Sequence, residues 1–257
     1  MQFDLYLGID YSGAGTSTSR LKGLQVYAAD PVHEPEQWLS PGSTTEKRIA
    51  WSREAIAGLL VELALSERRF IAGLDHCFSF PLSYFRRYAL SSWETFLQDF
   101  VRHWPLQKPG VSVEDVLADP PGRMGQAGAL RLTERWTQAA KSVFRFQGPG
   151  TVGKASFAGL AWLQCIRAQV GERIHVWPFD GWDLPQEKSV LVEVYPAICK
   201  RRYPRQERTP DEQDAFAVAA WLRDMDVRGA LGRYSRPPLT AEEQLVAELE
   251  GWIFGVG

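Results

Sequence analysis

The sequence of 257 residues has little of what marks secreted, membrane-spanning or nucleic-acid-coating proteins. Its three cysteines, Cys77, Cys165 and Cys199, are too widely spaced for a disulfide framework or a metal-ligand motif, which is typical of reduced thiols in a cytosol. No apolar run approaches the roughly 20 residues that a membrane helix needs. The 29 basic against 31 acidic side chains give a formal net charge of −2, which excludes a histone-like polycation.

The amino-terminal residues also lack a targeting signal. Residues 1–5 carry neither a basic patch nor the apolar core of a signal peptide, so we expect a cytoplasmic protein. Hydrophobic residues make up 45% of the chain, and 10 Trp, 13 Phe and 8 Tyr give an aromatic content that disordered chains do not have. The composition predicts a packed chain, and its length fits one large domain or two small ones.

Strand-like and helix-like patterns alternate along the chain, which is typical of an α/β protein. Alternating apolar residues predict a first strand over 3–10, and the run 70–75 is apolar on both faces, as expected of a central strand. Further strands are predicted at 21–29, more weakly at 46–51, and at 174–178 and 190–194. Helices are predicted at 52–63, 155–170, 211–226 and 240–252, and within 85–147 at about 91–104 and 131–146, on either side of a Pro/Gly loop at 118–129.

The segment 209–222 places two acids on the apolar side of a helix. Thr209 and Glu212 form a capping box, which fixes the helix start. At 100° per residue, Asp211 and Asp214 then fall on the apolar stripe of this helix. The helix dipole favours acids in the first turn by roughly 0.3–1 kcal/mol, but it does not explain a position facing the core. Buried carboxylates need hydrogen bonds or cations, so this pair predicts either a functional site or a structural acid network.

Two further acids stand at strand ends, where the active-site crevice of an open α/β sheet lies. Asp10 ends the first strand, and Asp75 ends the buried strand 70–74. Glu193 adds an acid within the strand VLVEV, either on the solvent side of an edge strand or at the same site. Carboxylates without a His/Cys set favour Mg²⁺ or Mn²⁺ over zinc. Two such ions roughly 3.5–4 Å apart can support phosphodiester cleavage.

These residues resemble the ribonuclease-H-like superfamily in three features. An Asp on the first strand precedes a turn and hairpin, an acid ends the strand after the first helix, and the closing helix reads D-x-x-D-A, as in Holliday-junction resolvases of the RuvC type. More closely, the chain resembles domain-of-unknown-function family 429, described as predicted ribonuclease-H-like nucleases. The motifs that carry this resemblance are GIDYSGA (8–14), GLDHCFSFP (73–81), FQGPGTVGKASFAGL (146–160), VEVYPA (192–197), DEQDAFAVAAW (211–221) and EGWIFG (250–255).

The resemblance implies one ribonuclease-H-like domain over 1–257. Its fold would be a mixed sheet of five strands in the order 3-2-1-4-5 with flanking helices and a helical insertion at about 85–147. It also implies four site acids, which are Asp10, Asp75, Asp211 and Asp214. Ribonuclease H itself carries a Glu on its first helix, and here Glu54 and Glu62 lie on that segment but in no motif of the family.

The stretch GPGTVGKA (148–155) nearly matches a Walker A loop. Residues 143–146 could supply the strand that such a loop follows. However, Ala155 stands where a hydroxyl would hold Mg²⁺, and Pro149 removes a backbone donor. Lys154 is therefore interpreted either as a clamp for a backbone phosphate or as part of a tight turn into a helix.

A basic stretch, KRRYPRQER (200–208), carries a net charge of +4 between Glu193 and Asp211. Its arginines suit phosphate contacts, although such a run is also typical of a solvated face. Three of them are predicted to contact substrate: Arg201, Arg202 and Arg205. His76, next to Asp75, is interpreted either as a proton-transfer group or as a structural histidine.

The leading hypothesis is a divalent-metal-dependent nuclease that uses Mg²⁺ or Mn²⁺ on nucleic acid. Asp10, Asp75 and Asp214 would be the metal ligands, and Asp211 and Glu193 supporting ligands or bases. One alternative is an ATP-binding phosphotransferase or ATPase of actin-like or P-loop type, and another is a nucleic-acid-binding protein without catalytic activity. The sequence leaves the oligomeric state open, although RuvC-type enzymes commonly work as homodimers.

Overall fold

A computed structural model of the chain describes residues 2–44, 46–120, 122–137, 140–148 and 151–257. Six strands form one mixed sheet in the order β3-β2-β1-β4-β6-β5. Strand β2 runs antiparallel to β1 and β3, whereas β1, β4, β6 and β5 are parallel to one another. The strands are β1 (Leu5–Asp10), β2 (Gln25–Ala29), β3 (Glu36–Gln37), β4 (Phe70–Leu74), β5 (Ile174–Val176) and β6 (Ser189–Glu193).

Helices cover both faces of this sheet. Leu5, Leu7 and Ile9 of β1 pack into the core formed with α1, α3 and α6, and Tyr6 packs into the core on the α7 side. This alternation follows from the strand period of two. The helices are α1 (Arg53–Leu65), α2 (Leu82–Arg87), α3 (Trp93–His103), α4 (Val113–Ala118), α5 (Leu132–Thr137), α6 (Gly153–Val170), α7 (Pro210–Val227), α8 (Leu231–Tyr234) and α9 (Ala241–Glu250).

The segment between β4 and α6 packs on the sheet through aromatic side chains. Phe80 contacts the rings of Phe96, Phe100 and Phe157, with centroids 4.9–5.7 Å apart and mostly in edge-to-face arrangements. Such pairs add to the stabilisation from burial alone. Helices α2, α3 and α4 therefore share one core with α6, whereas Leu132 of α5 packs against the core on the α7 side. Within the residues described, no helix is long and apolar enough to cross a membrane.

The α/β class is confirmed, but the expected number of strands is wrong. The sheet has six strands rather than five, because β5 adds an edge strand beyond β6. The strand predicted at 46–51 is also wrong, since that segment is irregular and the third strand is the two-residue β3. In segment 46–51, the buried Trp51 donates its indole N–H to the carbonyl oxygen of Trp38. Its apolar side chain therefore packs a loop on the core and does not belong to a strand.

Two predictions in the insertion also differ from the structure. The helix predicted over 131–146 is only the six residues of α5, and residues 138 and 139 lie outside those described. Residues 143–146, expected to form a strand before the glycine-rich loop, form turns. Val143 and Phe144 are nevertheless buried, which explains why their apolar character resembles a strand.

Candidate metal centre

Three aspartates from separate elements meet at the carboxyl edge of the sheet. Asp10 ends β1, Asp75 follows β4, and Asp214 lies in the second turn of α7. Each offers one carboxylate oxygen, and these three oxygens all lie within 4.8 Å of one another. We refer to Asp10, Asp75 and Asp214 as the carboxylate cluster. The cluster brings together the three residues that the sequence analysis predicted as metal ligands.

Two glycines allow α7 to lie close enough to the sheet to complete the cluster. A Cβ added at Gly8 of β1 would lie 2.0 Å from the carbonyl oxygen of Ala215, and one at Gly73 of β4 would lie 2.6 Å from Cγ1 of Val218. At neither position does a side chain fit without a shift of its neighbours, which at Gly8 are backbone atoms of α7. The residue before Ala215 is Asp214, so this close contact sets the position of the Asp214 carboxylate relative to Asp10.

A buried arginine holds the turn that follows Asp10. Arg53, at the start of α1, donates from Nη1 to the carbonyls of Ser12 and Ala14, at 2.9 and 2.8 Å, and from Nη2 to that of Gly15 at 3.0 Å. No role was predicted for this residue from the sequence, although it follows the helix cap Ser52 directly. The glutamates of the same helix, Glu54 and Glu62, are both exposed. No acid of α1 therefore takes the place of the first-helix Glu of ribonuclease H.

The cluster carries more negative charge than its surroundings neutralise. Burial raises the pKa of Asp10 to about 9, and the neighbouring carboxylates of Asp75, Asp211 and Asp214 add to the effect. Burial, with Asp214 next, raises the pKa of Asp75 to about 7. Both shifts mean that the ionised forms lack adequate compensation. A bound cation would supply the missing positive charge.

Among the residues that the structure describes, Lys200 is the cation that forms an ion pair with this cluster. Its Nζ lies 3.0 Å from both carboxylate oxygens of Asp214. Lys200 begins a short 3₁₀ turn over Lys200–Arg202, in the basic stretch that the sequence analysis singled out. Roles were predicted from the sequence for the neighbouring arginines but not for Lys200. One lysine against three aspartates leaves the cluster short of positive charge.

Asp211 lies at the rim of the cluster and not within it. The helical wheel predicted that its side chain would face the core, but Asp211 is exposed in the first turn of α7. Its pKa is raised by partial burial and by the neighbouring Asp214. Gln213, two residues further along the helix, is buried, and its Nε2 donates to the carbonyl of Tyr203 at 2.9 Å.

Glu193 belongs to a different group of side chains, so the prediction of a supporting ligand or base is not supported by its position. Strand β6 is internal, and Glu193 is only 2% exposed. Its carboxylate accepts from both terminal nitrogens of Arg131 and from the backbone N–H of Phe78. Arg131 also donates from Nε to Glu134 at 2.9 Å. We refer to Arg131, Glu134 and Glu193 as the arginine network.

The predicted phosphate contacts lie outside the cluster. Lys154 forms an ion pair with Glu114 of α4, and its backbone packs against Gly13, where an added Cβ would lie 2.1 Å from the carbonyl carbon of Lys154. Pro149 and Gly150 of the same loop lie outside the described residues. With no strand at 143–146, the structure lacks the context of a P-loop in the part of the chain that it describes. The three predicted arginines are exposed: Arg201, Arg202 and Arg205.

His76 is a buried neutral side chain. Burial lowers its pKa to about 4, and its Nδ1 lies 3.0 Å from the carbonyl oxygen of Cys77. The ring packs over Gly159 of α6, where an added Cβ would lie 2.5 Å from Nε2. This environment supports the structural interpretation of the histidine and explains the glycine in the middle of α6.

Comparison of the chain with protein-family models, with curated proteins and with solved structures finds no match in any of the three. The family resemblance therefore depends on the motifs of the sequence alone.

Proposed function

We propose that the protein is a divalent-metal-dependent phosphodiester hydrolase that acts on nucleic acid. One observation carries the proposal: three carboxylates from three elements converge within 4.8 Å at the carboxyl edge of the sheet. That edge is where open α/β sheets bind their ligands.

The donor set fits Mg²⁺ or Mn²⁺. Asp10, Asp75 and Asp214 offer only carboxylate oxygens, which are the ligands that these hard cations prefer. The raised pKa values of Asp10 and Asp75 support the same conclusion, because the chain supplies too little positive charge to keep both groups ionised. When bound, such ions activate water and stabilise the leaving oxygen of a phosphodiester.

The side chains around the cluster have separate roles in this proposal. The three aspartates hold the ions. Lys200, which pairs with Asp214, can turn to a non-bridging phosphate oxygen once an ion binds that carboxylate. Asp211 is exposed one helical turn before Asp214, where it can orient water at the entrance. The exposed arginines of the same basic stretch would contact neighbouring phosphates and not the reacting one.

We infer that the sheet is a ribonuclease-H-like sheet with an added edge strand. The order β3-β2-β1-β4 and the antiparallel direction of β2 support this inference, because they agree with the order 3-2-1-4 that the resemblance implies. Strand β6 then corresponds to the fifth strand of the order that the resemblance implies, and β5 extends the sheet beyond it.

Cleavage assays with single-site variants test the proposed function. Labelled single-stranded, duplex and branched DNA and RNA would be incubated with Mg²⁺, with Mn²⁺ and with EDTA. We expect metal-dependent cleavage that falls by about 10³-fold in both Asp10→Asn and Asp214→Asn, because each removes a ligand of the ions that stabilise the transition state.

The matched control is Asp224→Asn, on the same helix as Asp214. Asp224 accepts a hydrogen bond from the hydroxyl of Tyr203, and an asparagine oxygen can accept it equally. Circular dichroism would establish that all three variants are folded. Cleavage that persists in EDTA, or that is equal in the wild type and in both cluster variants, contradicts the proposal.

A further inference from the structure

A cavity of about 320 Å³ opens beside the carboxylate cluster and shares one residue with it. We call it the Asp75 pocket. Its walls come from the residues that follow β1, β4 and β6, from the start of α6 and from α5. The residues that line it include Asp75, Tyr195, Ala155, Arg131, Glu134 and Glu193. The volume is at the lower end of the range for small-molecule sites, which is about 300–1,000 Å³.

The polar end of this pocket does not suit an anion. Arg131 uses its guanidinium on Glu134, on Glu193 and on the carbonyl oxygen of Glu250. The charged side chains that line the cavity, with Lys141 included, are three acids and two bases, for a net charge of 2 − 3 = −1. A phosphate would be repelled here, whereas a neutral group that donates hydrogen bonds would find the carboxylate of Asp75 as an acceptor, since Arg131 already occupies those of Glu134 and Glu193.

The remaining wall suits a flat ring. It consists largely of apolar side chains, including Val152, Ala155, Val194 and Ile253, and of the aromatic Tyr195. Tyr195 is only partly buried, so its ring has surface left to contact a ligand. Nucleobases combine a stacking face with N–H donors at the edge, and stacking of bases on aromatic side chains is a common mode of single-strand recognition.

We propose that the Asp75 pocket binds the nucleobase of the nucleotide whose phosphate lies at the carboxylate cluster. Because Asp75 belongs to both sites, a base in the pocket leaves its own phosphate next to the cluster. The inference rests on the proposed function for the identity of that phosphate. It deepens that function by naming the substrate class, which is nucleic acid with an unpaired nucleotide at the position of cleavage, since a paired base cannot enter a cavity of this size.

Binding of mononucleotides tests the pocket without any cleavage. The probes are the four common 5′-nucleotides, the four 3′-nucleotides and ribose 5-phosphate, each titrated into the wild-type protein by calorimetry in Mg²⁺. We expect at least one nucleotide to bind about tenfold or more tightly than ribose 5-phosphate, because only the nucleotide carries a base that can stack. Equal binding of all nine probes would overturn the proposal.

Two variants locate this base-dependent affinity. Tyr195→Ala should reduce it about tenfold or more, whereas Tyr195→Phe, which keeps the ring, should retain it. Ala155→Trp should abolish it by filling the cavity from the third position of α6. Its matched control is Ala241→Trp at the exposed first position of α9, which should bind like the wild type. Loss in the control, or no loss in either Tyr195→Ala or Ala155→Trp, places the base elsewhere and contradicts the assignment.

The experiment separates failure of the pocket from failure of the proposed function. Base-dependent affinity that remains in Asp10→Asn, in a protein that cleaves no substrate, supports the pocket and argues against the nuclease. Metal-dependent cleavage by a protein that does not distinguish nucleotides from ribose 5-phosphate supports the nuclease and refutes the pocket.

Discussion

Two groups of acids lie at the same edge of the sheet, and they differ in how their charge is neutralised. In the arginine network, Arg131 lies between Glu134 and Glu193, and the backbone N–H of Phe78 supplies a further donor. In the carboxylate cluster, the three aspartates face each other with Lys200 as the nearby cation. Both groups put acids in or near the interior, but the cluster has the larger excess of negative charge, with three aspartates against one lysine compared with two glutamates against one arginine.

The comparison shows that burial of an acid does not by itself indicate function. Glu193 is more deeply buried than Asp75, yet its carboxylate is occupied by partners from the chain. What distinguishes the cluster is that three aspartates face one lysine, and that burial and the facing carboxylates raise the pKa of Asp10 and Asp75. Five predictions test this distinction.

The largest effect is expected from Arg131→Met. It leaves Glu134 and Glu193 without their cation in the interior, so unfolding in urea should show a loss of about 3–5 kcal/mol. The control is Arg236→Met, which removes an exposed pair with Asp183 and should cost less than about 1 kcal/mol. Similar losses in the two variants would mean that the arginine network is not the stabilising group described here.

Gly8→Ala should separate Asp214 from the rest of the cluster while leaving the arginine network intact. The added Cβ would meet the carbonyl oxygen of Ala215, so we expect a loss of about 2–3 kcal/mol in unfolding experiments and weaker metal binding. The control, Gly58→Ala, lies on an exposed part of α1 with no atom within 4 Å of the new Cβ. It should be stabilising by up to about 1 kcal/mol. Wild-type metal affinity in Gly8→Ala would contradict the account of how Asp214 is positioned.

Asp75→Asn should change the free energy of unfolding in the opposite direction to Arg131→Met. Removing one of several facing carboxylates relieves repulsion, so the ion-free protein should gain about 0.5–2 kcal/mol at pH 8. Unfolding in EDTA measures this gain, and the same variant should be stabilised less by Mg²⁺ than the wild type. A destabilised variant in EDTA would show that Asp75 is a structural acid like Glu193.

The stability of the ion-free protein should fall as the pH rises. In the folded state Asp75 and Asp10 keep their protons up to a pKa of about 7 and about 9, whereas in the unfolded chain they lose them near their ordinary pKa of about 4. Between the ordinary pKa and the raised pKa of each group, the folded state therefore binds more protons than the unfolded chain. The stability of the folded state decreases with rising pH across this window. The melting temperature in EDTA, followed from pH 5 to pH 9, should decrease more steeply in the wild type than in Asp10→Asn. Parallel curves for the two proteins would contradict the raised pKa of Asp10.

The smallest effect is expected from Lys200→Met. The lysine pairs with a carboxylate that an ion would bind, so its removal should tighten Mn²⁺ binding by about two- to fivefold, the range for a partly exposed ion pair. Lys200→Arg keeps the charge and should bind Mn²⁺ like the wild type. Paramagnetic resonance of free Mn²⁺ gives both affinities, and weaker binding in Lys200→Met would show that the lysine does not compete with the ion.

Local patterns were sufficient to predict most of the sheet and its covering helices. The alternation in 3–10 and the capping box at Thr209 depend on neighbouring residues, and they predicted β1 and the start of α7. The two-residue β3 depends instead on its pairing with β2, which no local pattern reports. The edge strand β5 was predicted, but the five-stranded order implied by the resemblance has no position for it.

The three acids of the cluster could also be predicted, because Asp10 and Asp75 follow strands and Asp214 follows the period of a helix. The hydrogen-bond and ion-pair partners of the buried acids could not be predicted, because they come from distant parts of the chain. Arg131, which neutralises Glu193, lies 62 residues before it in the insertion. The exposure of Asp211 depends on what packs around the first turn of α7, which the helical wheel does not describe.

The position of bound Mn²⁺ tests the central claim most directly. Anomalous diffraction from crystals soaked in Mn²⁺ should show a peak among the carboxylates of Asp10, Asp75 and Asp214, and that peak should be lost in Asp10→Asn. The absence of a peak at the cluster, with the side chains arranged as described here, would contradict the account, as would a peak that is unchanged in the variant.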